Sequence, residues 1–235
     1  MILRGLFITG TDTGVGKTYV ASAIVRQLRE QQVRVGAYKP VVSGSEPGPT
    51  GPIWGDVEQL HSALGGAFPR EVICPQRFEA PLAPPVAARL EGRDVDADLL
   101  IHGADWWANS VDLLIVEGAG GWLSPITEEK TVADAARALG FPVVIVARLS
   151  LGTINHTLLT VEAVRARNVP IAGIILNQTG VPTGKDPSEN TNAAELQRRT
   201  DVPILATVPH AAPQALLQVP ALRKIDFAGL AGSRR

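Results

Sequence analysis

The sequence predicts an α/β fold, in which helices cover both faces of a doubly wound, mostly parallel sheet of about seven strands. Three features lead to this prediction. Short apolar runs rich in β-branched residues recur along the chain, longer stretches of helical periodicity separate them, and a glycine-rich loop follows the first run. Continuous apolarity is typical of strands that are buried on both faces. The alternation of strand and helix favours right-handed crossovers within a single sheet.

The apolar runs and the helical patterns place the elements in order. Strands are predicted over residues 6–9, 34–38, 112–117, 142–147, 172–176 and 203–208. Residues 71–78 are a weaker strand candidate, because Pro75 has no N–H for a sheet ladder. Helices are predicted over residues 17–31, 56–64, 95–109, 131–139, 153–168 and 191–200.

The strand-helix pattern predicts one domain over residues 1–235. Residues 43–55 are rich in glycine and proline and predict a mobile surface loop, and residues 181–188 predict a second loop. Neither loop divides the chain, since the pattern resumes after each of them. The tail from residue 226 onward is expected to be frayed.

The charge balance argues against two classes of partner. The chain has 22 lysines and arginines against 23 acidic residues, which gives a net charge of −1. Proteins that bind nucleic acid without sequence preference, or that bind membrane surfaces, need an excess of basic residues. The single cysteine, Cys74, fits a reducing compartment, and no apolar run approaches the ~20 residues that span a bilayer. We therefore expect a cytoplasmic protein that binds neither nucleic acid nor membrane.

The loop after the first strand, GTDTGVGKT, has the features of a phosphate-binding loop. Five residues separate Gly10 from Gly16, one more than is usual in such loops. Gly14 and Gly16 would let the backbone approach phosphate oxygens, Lys17 would reach the β- and γ-phosphates, and the Thr18 hydroxyl would ligate Mg²⁺. The alternative is a strand-to-helix turn without a ligand, but the place of the loop between a buried strand and an amphipathic helix favours a nucleotide site.

An acidic residue ends the third clear strand, in the motif VEGAGGW. Glu117 would be costly there without a partner, and a Mg²⁺ ion shared with phosphate oxygens would satisfy it. Gly118, Gly120 and Gly121 would give backbone donors access to an anion. The alternative is a flexible turn with an exposed glutamate.

Two charged residues elsewhere have both a structural and a functional interpretation. Asp56 opens a helix after the glycine- and proline-rich loop, so it is either an N-cap or a metal ligand. Lys39 ends the second strand, at the edge of the sheet where ligands bind in this fold class. It either stabilises negative charge there or faces solvent, as most lysines do.

The segment after the fourth strand, LGTINH, predicts a helix start. Thr153 is a candidate N-cap, and the exposed amides of Ile154 and Asn155 would attract a carboxylate or phosphate. His156 is interpreted as a structural hydrogen-bonding residue rather than a base. Asn177 follows a strand, where its amide either reads an adenine edge or has no such role.

Taken together, the motifs GTDTGVGKT, YKPVVSGS, VEGAGGW, LGTINH and ILNQ resemble those of the dethiobiotin synthetases, a family with the phosphate-loop NTPase fold. The resemblance extends from the N-terminus to about Pro209 and includes the longer phosphate loop. It implies catalytic roles for Lys17 and Lys39. It also implies a metal shell that contains Thr18, Asp56 and Glu117.

The resemblance further implies two sets of ligand contacts. The nucleotide contacts would be Thr13, Gly14, Val15, Gly16, Lys17, Thr18, Asp56, Glu117, Gly118, Ala119, Gly120, Asn177, Gln178, Pro209, His210 and Ala211. The substrate contacts would be Thr11, Lys39, Ser43, Gly152, Thr153, Ile154 and Asn155.

The activity implied by the resemblance is a late step of biotin biosynthesis. With Mg²⁺ and ATP, the enzyme would carboxylate 7,8-diaminononanoate (7,8-diaminopelargonate) with CO₂ and close the ring to dethiobiotin, releasing ADP and phosphate. A homodimer is implied, in which the partner subunit holds the substrate carboxylate.

Two alternative functions are another ATP-dependent amine or carboxylate ligase of the same fold and a partition-type nucleotide switch. By resemblance, partition-type switches carry a second lysine early in the phosphate loop, at the position that Asp12 holds in this chain. The aspartate counts against the switch.

Overall fold

A computed structural model of the protein describes residues 3–181, 184–210 and 219–233. Its strands are β1 (Arg4–Gly10), β2 (Val35–Tyr38), β3 (Val41–Ser43), β4 (Glu46–Gly48), β5 (Gly51–Ile53), β6 (Gln76–Phe78), β7 (Leu113–Glu117), β8 (Val143–Arg148), β9 (Ile171–Asn177), β10 (Ile204–Val208) and β11 (Gly232–Ser233). Its α-helices are α1 (Lys17–Glu30), α2 (Gly55–Ala63), α3 (Arg70–Ile73), α4 (Pro84–Leu90), α5 (Leu99–His102), α6 (Val132–Leu139), α7 (Thr153–Ala166), α8 (Asn192–Gln197) and α9 (Phe227–Leu230). Two 3₁₀ helices span Gly103–Asn109 and Pro187–Asn190.

Seven strands form the main sheet, in the order β10-β9-β8-β1-β7-β2, with β11 beside the start of β1. All pairs are parallel except that of β11 with β1. The central strands β1, β7 and β8 are buried over almost their whole length, because helices cover both faces. This arrangement confirms the predicted fold class. It also brings the carboxyl ends of β1, β2, β7, β8 and β9 to one edge, where ligands bind in such sheets.

The first helix shows why the sequence folds in this way. Val20, Ile24 and Leu28 recur at the helical period on α1, and all three are fully buried against the sheet. The helix begins where Gly16 adopts a left-handed conformation, with φ of 89°. A residue with a Cβ would be strained there, and Gly16 therefore lets the chain turn directly from the loop into α1.

Several predicted elements differ from the structure. The loop predicted at residues 43–55 is largely a hairpin of β4 and β5, and Ser45 N–H donates to Glu79 O at 3.0 Å. The helix predicted at residues 95–109 is the short α5 followed by a 3₁₀ helix, and α4 was not predicted. Residues 71–78 are divided by Pro75 into the end of α3 and the strand β6. The hairpin pairing and the break at Pro75 are local, whereas the bond of Ser45 to Glu79 joins distant segments, which the local pattern does not contain.

The tail that was expected to fray is ordered from residue 226 to residue 233. Asp226 caps α9 by accepting a hydrogen bond from Gly229 N–H, and Phe227 is fully buried. Arg4 donates to Ala228 O and Ala231 O, which ties this segment to the start of β1. Within the described residues, the structure contains no helix that is long and apolar enough to cross a membrane.

We expect the thiol of Cys74 to resist alkylation in the native protein. Burial raises the pKa of this thiol to about 12, and Sγ donates to Gln76 O at 3.4 Å. Only the thiolate reacts, so labelling at pH 8 should require unfolding of the chain. Iodoacetamide labelling followed by mass spectrometry, with and without urea, measures this. Rapid stoichiometric labelling without urea would contradict the buried position of Cys74.

Candidate active site

A cavity of about 840 Å³ lies at the carboxyl edge of the sheet. The loop after β1, the end of β2, the start of α2 and the loop after β7 surround it. Its lining includes the predicted site residues Thr13, Gly14, Gly16, Lys17, Thr18, Lys39, Ser43, Asp56, Glu117, Ala119 and Gly120. Residues from four separate segments of the sequence therefore meet at one site.

The phosphate loop places Lys17 over this cavity. The backbone of Gly14 and Gly16 is left-handed, with φ of 73° and 89°. Lys17 is 7% exposed, and its Nζ donates to Asp12 O at 3.0 Å. Burial lowers the pKa of Lys17 to about 8, with a further lowering by Lys39 that nearby carboxylates partly oppose. A phosphate group would supply the negative charge that this ammonium needs.

An ion-pair cluster lies beside the loop, in which Lys39 and Glu117 are buried and the side chain of Asp56 is 43% exposed. Lys39 Nζ is 2.6 Å from Glu117 Oε1 and 2.8 Å from Asp56 Oδ2. Thr18 Oγ1 donates to the same Glu117 oxygen at 2.7 Å. Lys39 and Glu117 are 2% and 1% exposed. Neither of the two alternatives with an exposed side chain therefore holds: Lys39 does not face solvent, and Glu117 is not in an exposed turn.

The cluster shifts the pKa of each member. Burial alone would lower the pKa of Lys39, but the carboxylates of Glu117 and Asp56 outweigh it and raise that pKa above its usual value. Burial, together with the charge of Asp56, raises the pKa of Glu117. Burial would also raise the pKa of Asp56, but Lys39 and Thr18 outweigh it and hold that pKa below its usual value. Lys39 is thus the permanent positive charge of the cluster.

The residues present fit a Mg²⁺ ion. Within the part of the chain that the structure describes, the second carboxylate oxygen of Glu117, Oε2, is buried and has no hydrogen-bond partner. Thr18, Asp56 and Glu117 would supply one hydroxyl and two carboxylates, which are ligands that Mg²⁺ prefers. No group of three or more acidic, histidine or cysteine side chains suited to a metal occurs among the described residues. Phosphate oxygens and water would therefore complete the shell.

Two helix starts differ from the predicted caps. The N-cap of α2 is Trp54, and Asp56 is the second residue of the helix with its side chain directed to Lys39. The N-cap alternative for Asp56 was therefore wrong. The N-cap of α7 is Gly152, with φ of 91°, and Thr153 is the first helical residue. Asp186 fixes this turn, since its Oδ2 accepts from Leu151 N–H at 2.8 Å.

Other predicted residues lie outside the large cavity. Val15 is buried beneath the loop, and Thr11 lines a second cavity of about 390 Å³. His156 also lines this second cavity with an exposed ring, and the structure shows no hydrogen bond of that ring to any described residue. Its predicted structural role is therefore not supported. The segment from Gly152 to Asn155 and the residues Gly118, Asn177, Gln178, Pro209 and His210 do not line the large cavity either.

The residues proposed for the adenine side follow two neighbouring strands. Asn177 ends β9 opposite Val208 of β10, and Pro209 and His210 follow that strand in exposed positions. Gln178 Nε2 donates to Glu189 Oε2 at 2.8 Å. Ala211 lies outside the described residues.

Comparisons with known proteins place the chain in a family. Residues 4–214 match a family model described as an AAA domain. An ATP-dependent dethiobiotin synthetase of Anaeromyxobacter dehalogenans (strain 2CP-C) is 51% identical over 207 residues, which cover 88% of this chain and 90% of that protein. A protein of the same name from Bacillus subtilis (strain 168) is 41% identical over 208 residues, 88% of this chain and 87% of that protein. The chain belongs to the dethiobiotin synthetase family. The resemblance found in the motifs is thereby confirmed.

Solved structures support the fold of this dethiobiotin synthetase family member. The septum site-determining protein MinD of Pyrococcus horikoshii OT3, complexed with Mg-ADP, has a TM-score of 0.55 at 16% identity. The alignment covers 97% of this chain and 93% of that chain. McdA of Cyanthece gives a TM-score of 0.53 at 18% identity, with 97% and 95% covered. At these identities the likeness shows the fold alone.

The structure adds residues to the site of this family member that the sequence did not indicate. The cavity is also lined by Tyr19, Val42, Gln59, Pro81, Leu82, Ala83, Pro84, Ser124 and Pro125. The hydroxyl of Ser43 donates to Leu82 O, which joins the 81–84 segment to the end of β3. Tyr19 directly follows Thr18 in the loop motif and could have been found by that adjacency. The segment 81–84 carried no motif that predicts a ligand.

We expect nucleotide binding to weaken as the pH rises through about 8. The pKa of Lys17 is lowered to about 8, so the free protein loses this positive charge above that pH, whereas bound phosphate would keep it. The lowered pKa of Lys17 also affects the free energy of unfolding, because burial of the charged ammonium destabilises the folded protein below pH 8. Between pH 8 and about 10.5 the unfolded chain binds more protons at Lys17 than the folded chain does, so this destabilisation decreases as the pH rises.

Calorimetric titration with ATP from pH 6.5 to 9.5 in the absence of diamine measures this effect. A Lys17→Arg variant is the matched control, because arginine stays charged over the whole range. Equal pH dependence in the two proteins would contradict the titration of Lys17.

Proposed function

We propose that this chain converts 7,8-diaminononanoate, CO₂ and ATP to dethiobiotin, ADP and phosphate, with Mg²⁺, as a late step of biotin biosynthesis. As a dethiobiotin synthetase family member it is an ATP-dependent ligase. The observation that carries the proposal is the convergence of the phosphate loop with the ion-pair cluster of Lys39, Asp56 and Glu117 in one cavity. This arrangement supports phosphoryl transfer to a small anionic acceptor.

The chain would bind the triphosphate along the loop and the start of α1. Backbone N–H groups of a glycine-rich loop and of a helix start attract phosphate, and Lys17 would add its charge at the β- and γ-phosphates. A bound Mg²⁺, held by Thr18, Asp56 and Glu117, would neutralise phosphate charge. Asn177 would face the base with its amide oxygen, since the amide nitrogen is used by the protein, and this oxygen suits the amino group of adenine.

The reaction would follow three balanced steps. An unprotonated amine of the diamine attacks CO₂, loses a proton and becomes a carbamate. A carbamate oxygen attacks the γ-phosphorus of ATP, which gives a mixed anhydride and ADP. The second amine then attacks the carbamoyl carbon and closes the ring, and phosphate and a proton leave. Lys39 and Lys17 would hold the negative charge of the carbamate and of the transferred group, so the protein acts by orientation and charge stabilisation.

The proposed assembly is a homodimer in the cytoplasm. The resemblance implies that residues 152–155 hold the substrate carboxylate of the partner subunit, and these residues lie outside the large cavity of their own chain. The amides of Ile154 and Asn155 belong to the first turn of α7, where an anion is favoured. An isologous two-fold contact would place each segment at the site of the other chain.

We expect sedimentation equilibrium at micromolar concentration to show a dimer. An Asn155→Asp variant would bring a like charge to the carboxylate and should raise KM for the diamine much more than KM for ATP. Fully active monomers would contradict the proposed assembly.

An omission experiment tests the reaction. Purified protein with Mg²⁺ and ATP should release little phosphate until diamine and bicarbonate are both added, and one ADP should form per ring closed. At saturating ATP, activity should rise above neutral pH, because only the free amine attacks CO₂. ATP turnover independent of diamine and CO₂ would favour the nucleotide switch. Turnover that requires a different amine or acid would favour another ligase.

A further inference from the structure

Asn177 is bonded to the phosphate loop within the protein. Its Nδ2 donates to Val15 O at 2.9 Å, across 162 residues of sequence, and the residue is 4% exposed. A Cβ placed on Gly16 would lie 2.1 Å from the same nitrogen, so the amide packs directly on the Gly16 backbone. The side chain thus touches two successive residues of the loop.

The backbone of Asn177 is held firmly on both sides. Its carbonyl accepts from Leu149 N–H, which follows β8, and the next residue, Gln178, donates its N–H to Val208 O of β10, both at 2.9 Å. The amide is therefore presented from a rigid part of the sheet. A contact from this position can fix a loop that has few bonds of its own.

The direction of one peptide group follows from this contact. In a trans peptide the carbonyl and the N–H point to opposite sides of the chain. Because Asn177 holds the Val15 carbonyl on its own side, the N–H of Gly16 points away from Asn177. Gly16 lines the large cavity, so this N–H is available to a phosphate oxygen there. If the peptide rotated, a carbonyl would face the phosphate instead and repel it.

We propose that Asn177 is a positioning residue for the phosphate loop, which it sets for binding phosphate whatever base the nucleotide carries. This role is distinct from the reading of adenine. The inference rests on the proposed nucleotide site. The positioning role predicts that loss of Asn177 lowers the affinity for phosphate, whereas an adenine-reading role predicts that it changes the preference among bases.

Affinity measurements with and without a base separate the two roles. Dissociation constants for ATP, GTP, CTP and inorganic tripolyphosphate, each with Mg²⁺, are measured on wild type and on Asn177→Leu, a neutral change that keeps the branching and the number of side-chain heavy atoms. We expect all four affinities to fall by roughly tenfold or more, since a buried carbonyl loses its donor and the loop loses its fixed direction. The affinity for ATP should fall further than the other three, because the contact of the amide oxygen with adenine is lost as well. Loss confined to ATP, or no loss for tripolyphosphate, would overturn the proposal.

A second variant, a backbone amide resonance and a control variant test the same proposal independently. Asn177→Ala, which adds no atoms near Gly16, replaces Asn177→Leu if circular dichroism shows that the leucine variant is unfolded, and the loss for all four ligands, tripolyphosphate included, is expected again. The backbone amide resonance of Gly16 should also move in the ligand-free variant, and an unchanged resonance would count against the proposal. Asn109→Leu, at an exposed asparagine that lines neither cavity described above, is the matched control. Wild type that binds neither ATP nor tripolyphosphate would instead refute the proposed nucleotide site.

Discussion

Replacing Lys39 by methionine is expected to lower the free energy of unfolding by about 3–5 kcal/mol and to abolish turnover. The loss of stability arises because Glu117 would remain buried without the cation to which it is hydrogen-bonded. Removing one partner of a buried ion pair costs far more than the pair contributes, since the remaining charge cannot be solvated. The loss of turnover has a separate cause, because the charge opposite the carbamate would be gone.

A double variant separates these two effects. Lys39→Met combined with Glu117→Gln removes both charges, and most of the stability should return while activity stays absent. The pH dependence gives a further check. Without Lys39 the already raised pKa of Glu117 rises further, so the stability of the single variant should fall as the pH rises from acid to neutral.

Urea unfolding followed by circular dichroism measures these free energies. Arg70→Ala is the control, because its ion pair with Glu58 is half-exposed and should contribute less than about 1 kcal/mol. A Lys39→Met protein as stable as wild type at pH 8 would mean that Lys39 and Glu117 are not a buried pair in solution.

Replacing Lys17 by alanine should reduce kcat/KM by about 10²–10³-fold, or ~2–4 kcal/mol of transition-state stabilisation, while the fold stays intact. Lys17 Nζ is bonded to a neutral carbonyl of Asp12, so its removal leaves no buried carboxylate without a partner. Burial of this ammonium already costs free energy, as its lowered pKa shows. The change should therefore affect chemistry and spare stability, in contrast to the change at Lys39.

Initial rates with ADP detection, together with thermal unfolding, measure this difference. Lys224→Ala is the control at an exposed lysine remote from the cavity lining. Wild-type rates in the Lys17→Ala protein would show that the assignment of the phosphate loop is wrong.

The six main parallel strands and the phosphate loop were predictable because their signals are local. An apolar run marks a strand by itself, and glycines beside a lysine and a threonine mark a loop by their own chemistry. Asp56 shows where this reasoning ends. The sequence allowed an N-cap or a metal ligand, and the structure excludes only the N-cap, because Trp54 holds that position and Asp56 pairs with Lys39 at 2.8 Å. The segment 81–84 was missed for the same reason, since the bond of Leu82 O to Ser43 joins distant parts of the sequence. The hairpin of β4 and β5 pairs nearby residues, but its glycines and prolines resemble those of an irregular loop.

The position of β1 has a consequence for synthesis of the protein on the ribosome. This strand precedes the other described strands in the sequence but lies at the centre of the sheet, where Arg4 pairs with Leu113 and Phe7 pairs with Val143. Its antiparallel neighbour, β11, contains Ser233, which pairs with Arg4 and is made 229 residues after it. The nascent chain must therefore carry an unpaired apolar strand until β7 and β8 have been made, and during that time the strand is exposed to other chains. Slower synthesis at low temperature, or a chaperone that covers this strand, should raise the yield of folded protein more than any change at the active site.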